Sequence, residues 1–294
     1  MGTTGIGLLL AAVCALAWSG VDALRKALGQ RIGAVATAGA IQFGAALPFL
    51  AMLPLQAPVQ PLGDEFWLAL AGSIVLNTAA NILYVRAIQL SPLALTIPYL
   101  GFSPVFLLVG GALLFGERPT WLSALGVLVV VAGAVLLNPG TSGGRFDPIS
   151  AIRRERGSGL MLLVALLWSL ATLLDRVGLR HSGVTLYATL VNAGVGLPLV
   201  AFATLRRPHD MAAIRGSWVL VIATIAVLSL AMATQMLSWK YLFVAYQDVM
   251  KRAGGIIFSP FIGWLFFSEK GLRKRMPAVL LMSAGVTVVL LGRE

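Results

Sequence analysis

Apolar residues in this chain come in ten long blocks, separated by short stretches where charge, glycine and proline collect. The blocks fall at residues 6–28, 33–54, 66–88, 92–115, 120–138, 159–179, 184–205, 217–238, 241–268 and 276–292. Most reach the ~20 residues that an α-helix needs to cross a hydrocarbon layer about 30 Å thick. Backbone amides find no water there, so such segments must close their hydrogen bonds internally as helices. The pattern predicts an all-α integral membrane protein with ten transmembrane helices. The first block lacks a basic segment before it and has an internal copy, so it reads as a retained span and not as a cleaved signal.

The blocks also repeat. Ala17-Trp18-Ser19 answers Leu167-Trp168-Ser169, and Ala46-Leu47-Pro48 answers Gly196-Leu197-Pro198, at an offset of about 150 residues. Gln42 corresponds to Asn192, Phe66-Trp67 to Ser217-Trp218, and Leu114-Phe115-Gly116-Glu117 to Phe266-Phe267-Ser268-Glu269. Five spans per copy is an odd number, so the second copy enters the bilayer upside down. The reading is two inverted five-helix repeats, residues 1–138 and 159–294, around a turn-rich basic cytoplasmic linker at 139–158. Inverted repeats are the architecture of secondary transporters, with the site between the halves near mid-membrane.

Composition agrees: 59% of residues are hydrophobic and 11% charged, with mean hydropathy +0.91, against roughly 25% charged in soluble domains. The net charge of +11 lies in loops, where it reports topology and not a nucleic-acid partner. Loops after odd-numbered spans hold Arg25, Lys26 and Arg31; Arg145, Arg153, Arg154 and Arg156; Arg206, Arg207 and Arg215; and Lys270, Arg273, Lys274 and Arg275. Loops after even-numbered spans hold little: Arg118, Arg180 and Lys240, against Asp64 and Glu65. The positive-inside rule puts the odd loops in the cytoplasm and both termini outside a multi-pass inner-membrane protein. The single cysteine, Cys14, excludes a disulfide within the chain.

Each polar group inside hydrocarbon asks for a reason. In the ninth span, Asp248, Lys251 and Arg252 share one helical face by their i,i+3 and i,i+4 spacing, and one positive charge is left over. That points to a carboxylate- or anion-binding centre, with a structural ion pair or a snorkelling base as the plainer alternative. Asn77, Asn81 and Tyr84 share a face of the third span and suit either a polar solute or interhelical bonding. Gln42, Asn192 and Gln235 are weaker candidates of the same type. Trp18 and Trp168 predict paired aromatic walls of a cavity. Asp22 and Asp248 are coupling-ion candidates, although Asp22 lies near Arg25 and Lys26, and Asp175-Arg176 reads mainly as an interfacial ion pair. The fourth span carries Pro92, Pro98 and Pro104 with Tyr99, a further substrate-binding candidate. Pro98, Pro104, Gly254, Gly255 and Pro260 make spans four and nine the expected moving pair, with these residues as hinges. Gly126 and Gly133, like Gly285 and Gly292, are spaced for close packing, so spans five and ten read as scaffold or homodimer surface. Glu117 and Glu269 read as caps or loop ion pairs.

Leu83-Tyr84-Val85-Arg86-Ala87-Ile88-Gln89-Leu90-Ser91-Pro92, with Pro98, Ser103-Pro104 and Phe115-Gly116-Glu117-Arg118, resembles an EamA-type half of the drug/metabolite transporter superfamily. Lys251-Arg252, Ser259-Pro260 and Phe267-Ser268-Glu269-Lys270 resemble the same signature. The resemblance implies the ten-span fold and a carrier. Relatives export amino acids, drugs or nucleotide-sugar-like anions, and some flip lipid-linked sugars. Many keep both termini in the cytoplasm with a basic second loop, whereas Gln56 to Glu65 is acidic here. No HExxH pair or Walker loop occurs, and His181 and His209 both fall in loops, which argues against a metalloenzyme or an ATP-driven pump. No cofactor is implied. The partners expected are the lipid bilayer and a small-molecule substrate. That substrate is a small anionic or zwitterionic metabolite, amino-acid- or organic-acid-like, exported by alternating access. A flippase for a phosphate-bearing lipid or polyprenyl-linked headgroup is the alternative.

Overall fold

The computed structural model describes residues 3–56, 61–91, 96–136, 156–244 and 246–251, then 254, 255, 258, 265, 277, 278, 280, 281, 284, 285, 287–289 and 292. Among them there is helix and no strand. The helices are α1 (Thr3–Gly29), α2 (Ala34–Met52), α3 (Asp64–Leu90), α4 (Ser103–Phe115), α5 (Trp121–Leu136), α6 (Arg156–Ser182), α7 (Val184–Arg206), α8 (Pro208–Gly216) and α9 (Trp218–Ser238). Beyond α9 the chain turns at 239–242 and is helical at 244, 246–251, 254, 255 and 258. Six helices are long and apolar enough to cross a membrane, and two shorter apolar ones, Tyr99–Phe115 and Trp121–Gly133, accompany them. The chain is therefore a multi-pass membrane protein.

Two elements differ from the hydropathy pattern. The fourth block is not one kinked helix where it is described: a 3₁₀ turn, Ile97–Phe102, leads into α4. Pro98 and Pro104 each stand at the start of their element, where proline's missing donor costs nothing and its fixed φ suits the first turn. They initiate structure here and do not bend it. α4 ends at Gly116, whose φ of 63° is the left-handed conformation of a C-terminal cap. The second difference is α8, which fills part of the loop after the seventh span with a short helix that buries none of its residues. The sixth spanning helix, α6, begins at Arg156, slightly ahead of its apolar block.

Three helix pairs pack most extensively: α3 on α6, α2 on α7, and α1 on α9. α2 and α7 lie antiparallel, and the chain just beyond the end of each caps the start of the other. Gln56, past α2, accepts from the Leu186 amide at 3.0 Å and donates to the Ser182 carbonyl at 2.9 Å. Asp210, past α7, accepts from the Gly33 amide at 3.3 Å. These contacts satisfy amides that a helix start leaves open. The crossing is close because Gly196 lies flat against the backbone at Phe43, the role small residues play where membrane helices meet. Gly126 and Gly285 press together in the same way within the one chain, so that glycine face is used internally.

The outer face is apolar, as lipid requires. Leu68, Leu113, Leu128, Leu205 and Leu280 are all exposed. Trp67, Trp121 and Trp218 stand exposed at helix starts, where amphipathic rings anchor a protein at the headgroup level.

A Cβ on Gly196 would overlap the Phe43 backbone, whereas one on Gly63 would meet nothing within 4 Å. Gly196→Val should lower stability by roughly 1–3 kcal/mol, and Gly63→Ala should be close to neutral. Thermal unfolding of the two variants in detergent checks the contrast.

Candidate functional site

A cavity open to one side, with about 640 Å³ of empty space when its open mouth is counted, lies among α1, α2, α3, α6, α7, α9 and the turn of helix that carries Lys251. Helical spacing explains how it is lined. On α1, Trp18, Asp22 and Arg25 recur at i, i+4 and i+7, and on α6 Trp168, Thr172 and Asp175 recur at the same spacing. Each triplet keeps one face over two turns. Trp18, Arg25, Trp168, Thr172 and Asp175 all line the cavity, together with Gln42, Asn77, Asn81, Val191, Met232, Gln235, Met236, Trp239 and Lys251. The two indole rings lie 6.5 Å apart, tilted at 54°, and form one continuous aromatic wall.

The Lys251 side of the cavity is an ion-pair network. Lys251 Nζ sits 2.6 Å from Asp248 Oδ1, one helical turn away, and both side chains are buried. The other carboxylate oxygen of Asp248 accepts a bond from Ser103 Oγ at the start of α4. Lys251 also lies 5.6 Å from the centre of the Trp18 ring and 3.5 Å from Gln235 Oε1, which in turn accepts from Trp18 Nε1 at 2.8 Å. Indole, amide, ammonium and carboxylate thus join α1, α9 and the Lys251 segment.

Arg25 lies deeper still, 1% exposed. One guanidinium nitrogen, Nη2, donates to Asn81 Oδ1 at 3.1 Å, and the group sits over the Trp18 and Tyr84 rings at 5.7 and 5.3 Å. Its Nε and Nη1 have no hydrogen-bond partner among the described residues. Asp22, a turn away, takes the Tyr84 hydroxyl at 2.6 Å on its Oδ1. Tyr84 itself packs against Trp168 at 5.1 Å. Asp175 accepts from Ser73 Oγ and from the Tyr187 hydroxyl, the latter at 3.0 Å, and Asn77 Nδ2 donates to Ser73 at 3.0 Å.

The residues singled out from sequence therefore separate into groups. Trp18, Trp168, Asn77, Asn81 and Lys251 line the cavity, as do the weaker candidates Gln42 and Gln235. Tyr84, Asp22 and Asp248 stand behind that lining and hold it. Tyr99 is buried, stacked on Phe102 at 6.4 Å and 13°, and is not among the lining residues. Asn192 is buried and bonds back to the Ala188 carbonyl. Gly254 is pressed against Ala15 of α1, while a Cβ on Gly255 would meet Ile97 and Asp22 at ordinary van der Waals distance. Arg252 and Pro260 lie outside the described residues.

Sequence reasoning passed over two lining charges. In sequence Arg25 reads as a loop charge, and Asp175 as the partner of Arg176. Arg176 instead pairs with Glu117 and lies over the Phe115 ring at 4.5 Å, which leaves Asp175 facing the cavity. The signal was present: Arg25 and Asp175 are separated by the same offset as Trp18 and Trp168, and each is seven residues beyond its tryptophan.

Removing one member of a buried pair strands the other charge, at a cost of roughly 3–5 kcal/mol. Asp248→Asn and Lys251→Met should each destabilise by about that much, and Asp248→Leu combined with Lys251→Met by clearly less than the sum. A double-mutant cycle from thermal unfolding in detergent measures the coupling. Additive losses would mean that the pair contributes nothing as a pair.

Residues 5–138 match the model of the EamA-like transporter family. A solved structure titled "Crystal structure of protein" superimposes with a TM-score of 0.70 at 22% identity, covering 99% of this chain and 97% of that one. At that identity the likeness is one of fold. No curated protein matches the chain. Over residues 5–138 the chain is similar to the EamA-like transporter family of the drug/metabolite transporter superfamily, whose members are membrane transporters and not enzymes.

Proposed function

We propose that this protein is a secondary transporter that exports a small anionic or zwitterionic metabolite, amino-acid- or organic-acid-like, across the inner membrane by alternating access. The observation that carries the reading is Arg25: a buried guanidinium at the cavity wall, two of whose nitrogens have no hydrogen-bond partner among the described residues. A charge kept at such a place is costly unless something charged comes to meet it. Lys251, with its charge already balanced by Asp248, contributes a second positive group to the same cavity.

Alternating access rests on the halves being inverted copies, residues 1–138 and 159–294, with ten spans in all. Contacts between the halves support this, because they come in matched pairs. α3 packs on α6 as α1 packs on α9, with α2 on α7 between them. Trp18 bonds Gln235 while Trp168 packs on Tyr84, and Gln235 and Tyr84 are equivalent on the Trp67–Trp218 register. Gly44 faces Ile225 as Gly194 faces Ile74. Two bundles related in this way have two packings of similar energy related by a pseudo-two-fold axis, which is what rocking around a central site requires. The odd loops face the cytoplasm in this reading. A homodimer would use the lipid-facing sides of spans five and ten, where Trp121, Leu125, Leu128 and Leu280 are exposed.

The function is tested by thermal stability of the detergent-purified chain with amino acids, organic acids, nucleotide sugars and lipid headgroup phosphates, followed by counterflow in proteoliposomes. A ligand that binds only the folded state raises the melting temperature by mass action. One soluble anionic or zwitterionic class should do so, and the shift should vanish in Arg25→Gln and weaken in Lys251→Ala combined with Arg252→Ala. A shift with lipid phosphates alone would favour a flippase instead.

Orientation is tested with cysteines, since the native Cys14 is fully buried. In intact cells a membrane-impermeant maleimide should label Gly63→Cys and leave Gln30→Cys unlabelled. The reverse pattern would turn the protein over.

A further inference from the structure

Two charges that line the cavity make no contact ion pair among the described residues, Arg25 and Asp175, although Asp22 acts on the first and Lys251 on the second across space. The spacing of their anchors along α3 sets the scale of their separation. Arg25 is bonded to Asn81 and Asp175 to Ser73, anchors that are eight residues apart on the same helix, or about 12 Å of helical rise. Asn77 lies between the anchors, bonded to Ser73. Trp18 and Trp168, with the thioethers of Met232 and Met236, wall the same cavity. The cavity therefore has a positive pole, a negative pole and aromatic and apolar wall.

We propose that Arg25 and Asp175 are the two poles of a binding site for an elongated dipolar solute. Its anionic group meets Nε and Nη1 of Arg25, its cationic group meets the Asp175 carboxylate, and its apolar middle lies on the two indoles. The inference rests on the carrier reading and sharpens its substrate class. A zwitterion with adjacent charges, about 3 Å apart, reaches one pole and leaves the other bare. A plain anion brings its own charge into a cavity that already holds an unpaired carboxylate. A solute of matched length neutralises both poles at once, and desolvated opposite charges attract strongly in a low-dielectric site. Ser73 and Tyr187 hold Asp175 in place by donating to it, and Asn81 does the same for Arg25 by accepting.

The test uses the full chain in detergent and follows melting temperature against concentration for ω-amino carboxylates of increasing length. Norleucine, hexanoate and hexylamine serve as the short-dipole, anion-only and cation-only probes. Binding should be tightest where the charges lie about 10 Å apart, a chain of about eight bonds. That optimum should exceed norleucine and hexanoate by about tenfold or more. In Asp175→Asn its advantage over the carboxylate of equal length should disappear. In Arg25→Gln its advantage over the amine of equal length should disappear. The length dependence needs no variant, so poor folding of either substitution leaves the test intact. Norleucine or hexanoate binding as tightly as the best long dipole overturns the bipolar assignment and leaves the carrier reading standing. So does binding of a solute from the wider metabolite panel with no response to the ω-amino series. Silence towards every solute in both sets overturns both.

Discussion

Hydrocarbon offers no partner to a polar group, and the arrangement of this protein's interior follows from that constraint. Each buried polar side chain must find its partner on another helix or on its own backbone. Trp18 finds Gln235, Tyr84 finds Asp22, Ser73 finds Asp175, and Asn81 finds Arg25. Each bond joins two different helices, and together they tie α1 to α3 and α9, and α3 to α6. Single bonds of this kind contribute modestly in a bilayer, around 0.6 kcal/mol on average. Their number and their common direction, towards one cavity, are what give the bundle its centre.

Within that centre the charges divide by how they are held. Lys251 and Asp248 neutralise each other one turn apart, with Ser103 and Gln235 completing the set, so they serve the packing of the segment they lie on. Arg25 and Asp175 are hydrogen-bonded by neutral groups, with Asp22 and Lys251 acting on them only across space, and both line the cavity. The stabilising contacts and the available charges therefore sit side by side in one site. A carrier needs both: a frame that survives in lipid, and groups whose satisfaction depends on what enters.

Much of this was legible before any coordinates. Hydropathy located the long helices, and six of the blocks are helices of spanning length to within a few residues. The tryptophan pair was legible because Trp18 and Trp168 recur in register inside apolar helices. The fourth block was less so: hydropathy sees an uninterrupted apolar run there, whereas Pro98 and Pro104 start a 3₁₀ turn and then a helix. Tyr99 and Asp248 are both polar candidates within apolar blocks, yet one stacks on Phe102 and the other is joined to Lys251.

Sequence alone determined the class of molecule, the family that its first half resembles, and which residue types stand in hydrocarbon, because burial in lipid leaves a periodic and compositional trace. Tertiary structure decided which polar residues share a space. Arg25 follows a lipid-spanning run and precedes Lys26, so in sequence it reads as a loop charge, and only the crossing of α1 with α3 buries it over Tyr84. Asp175 is adjacent to Arg176 in the chain, but successive residues on a helix point about 100° apart. Arg176 is turned to Glu117 and Asp175 to the cavity. Neighbours in sequence are fixed by the chain, whereas partners across helices are fixed by packing.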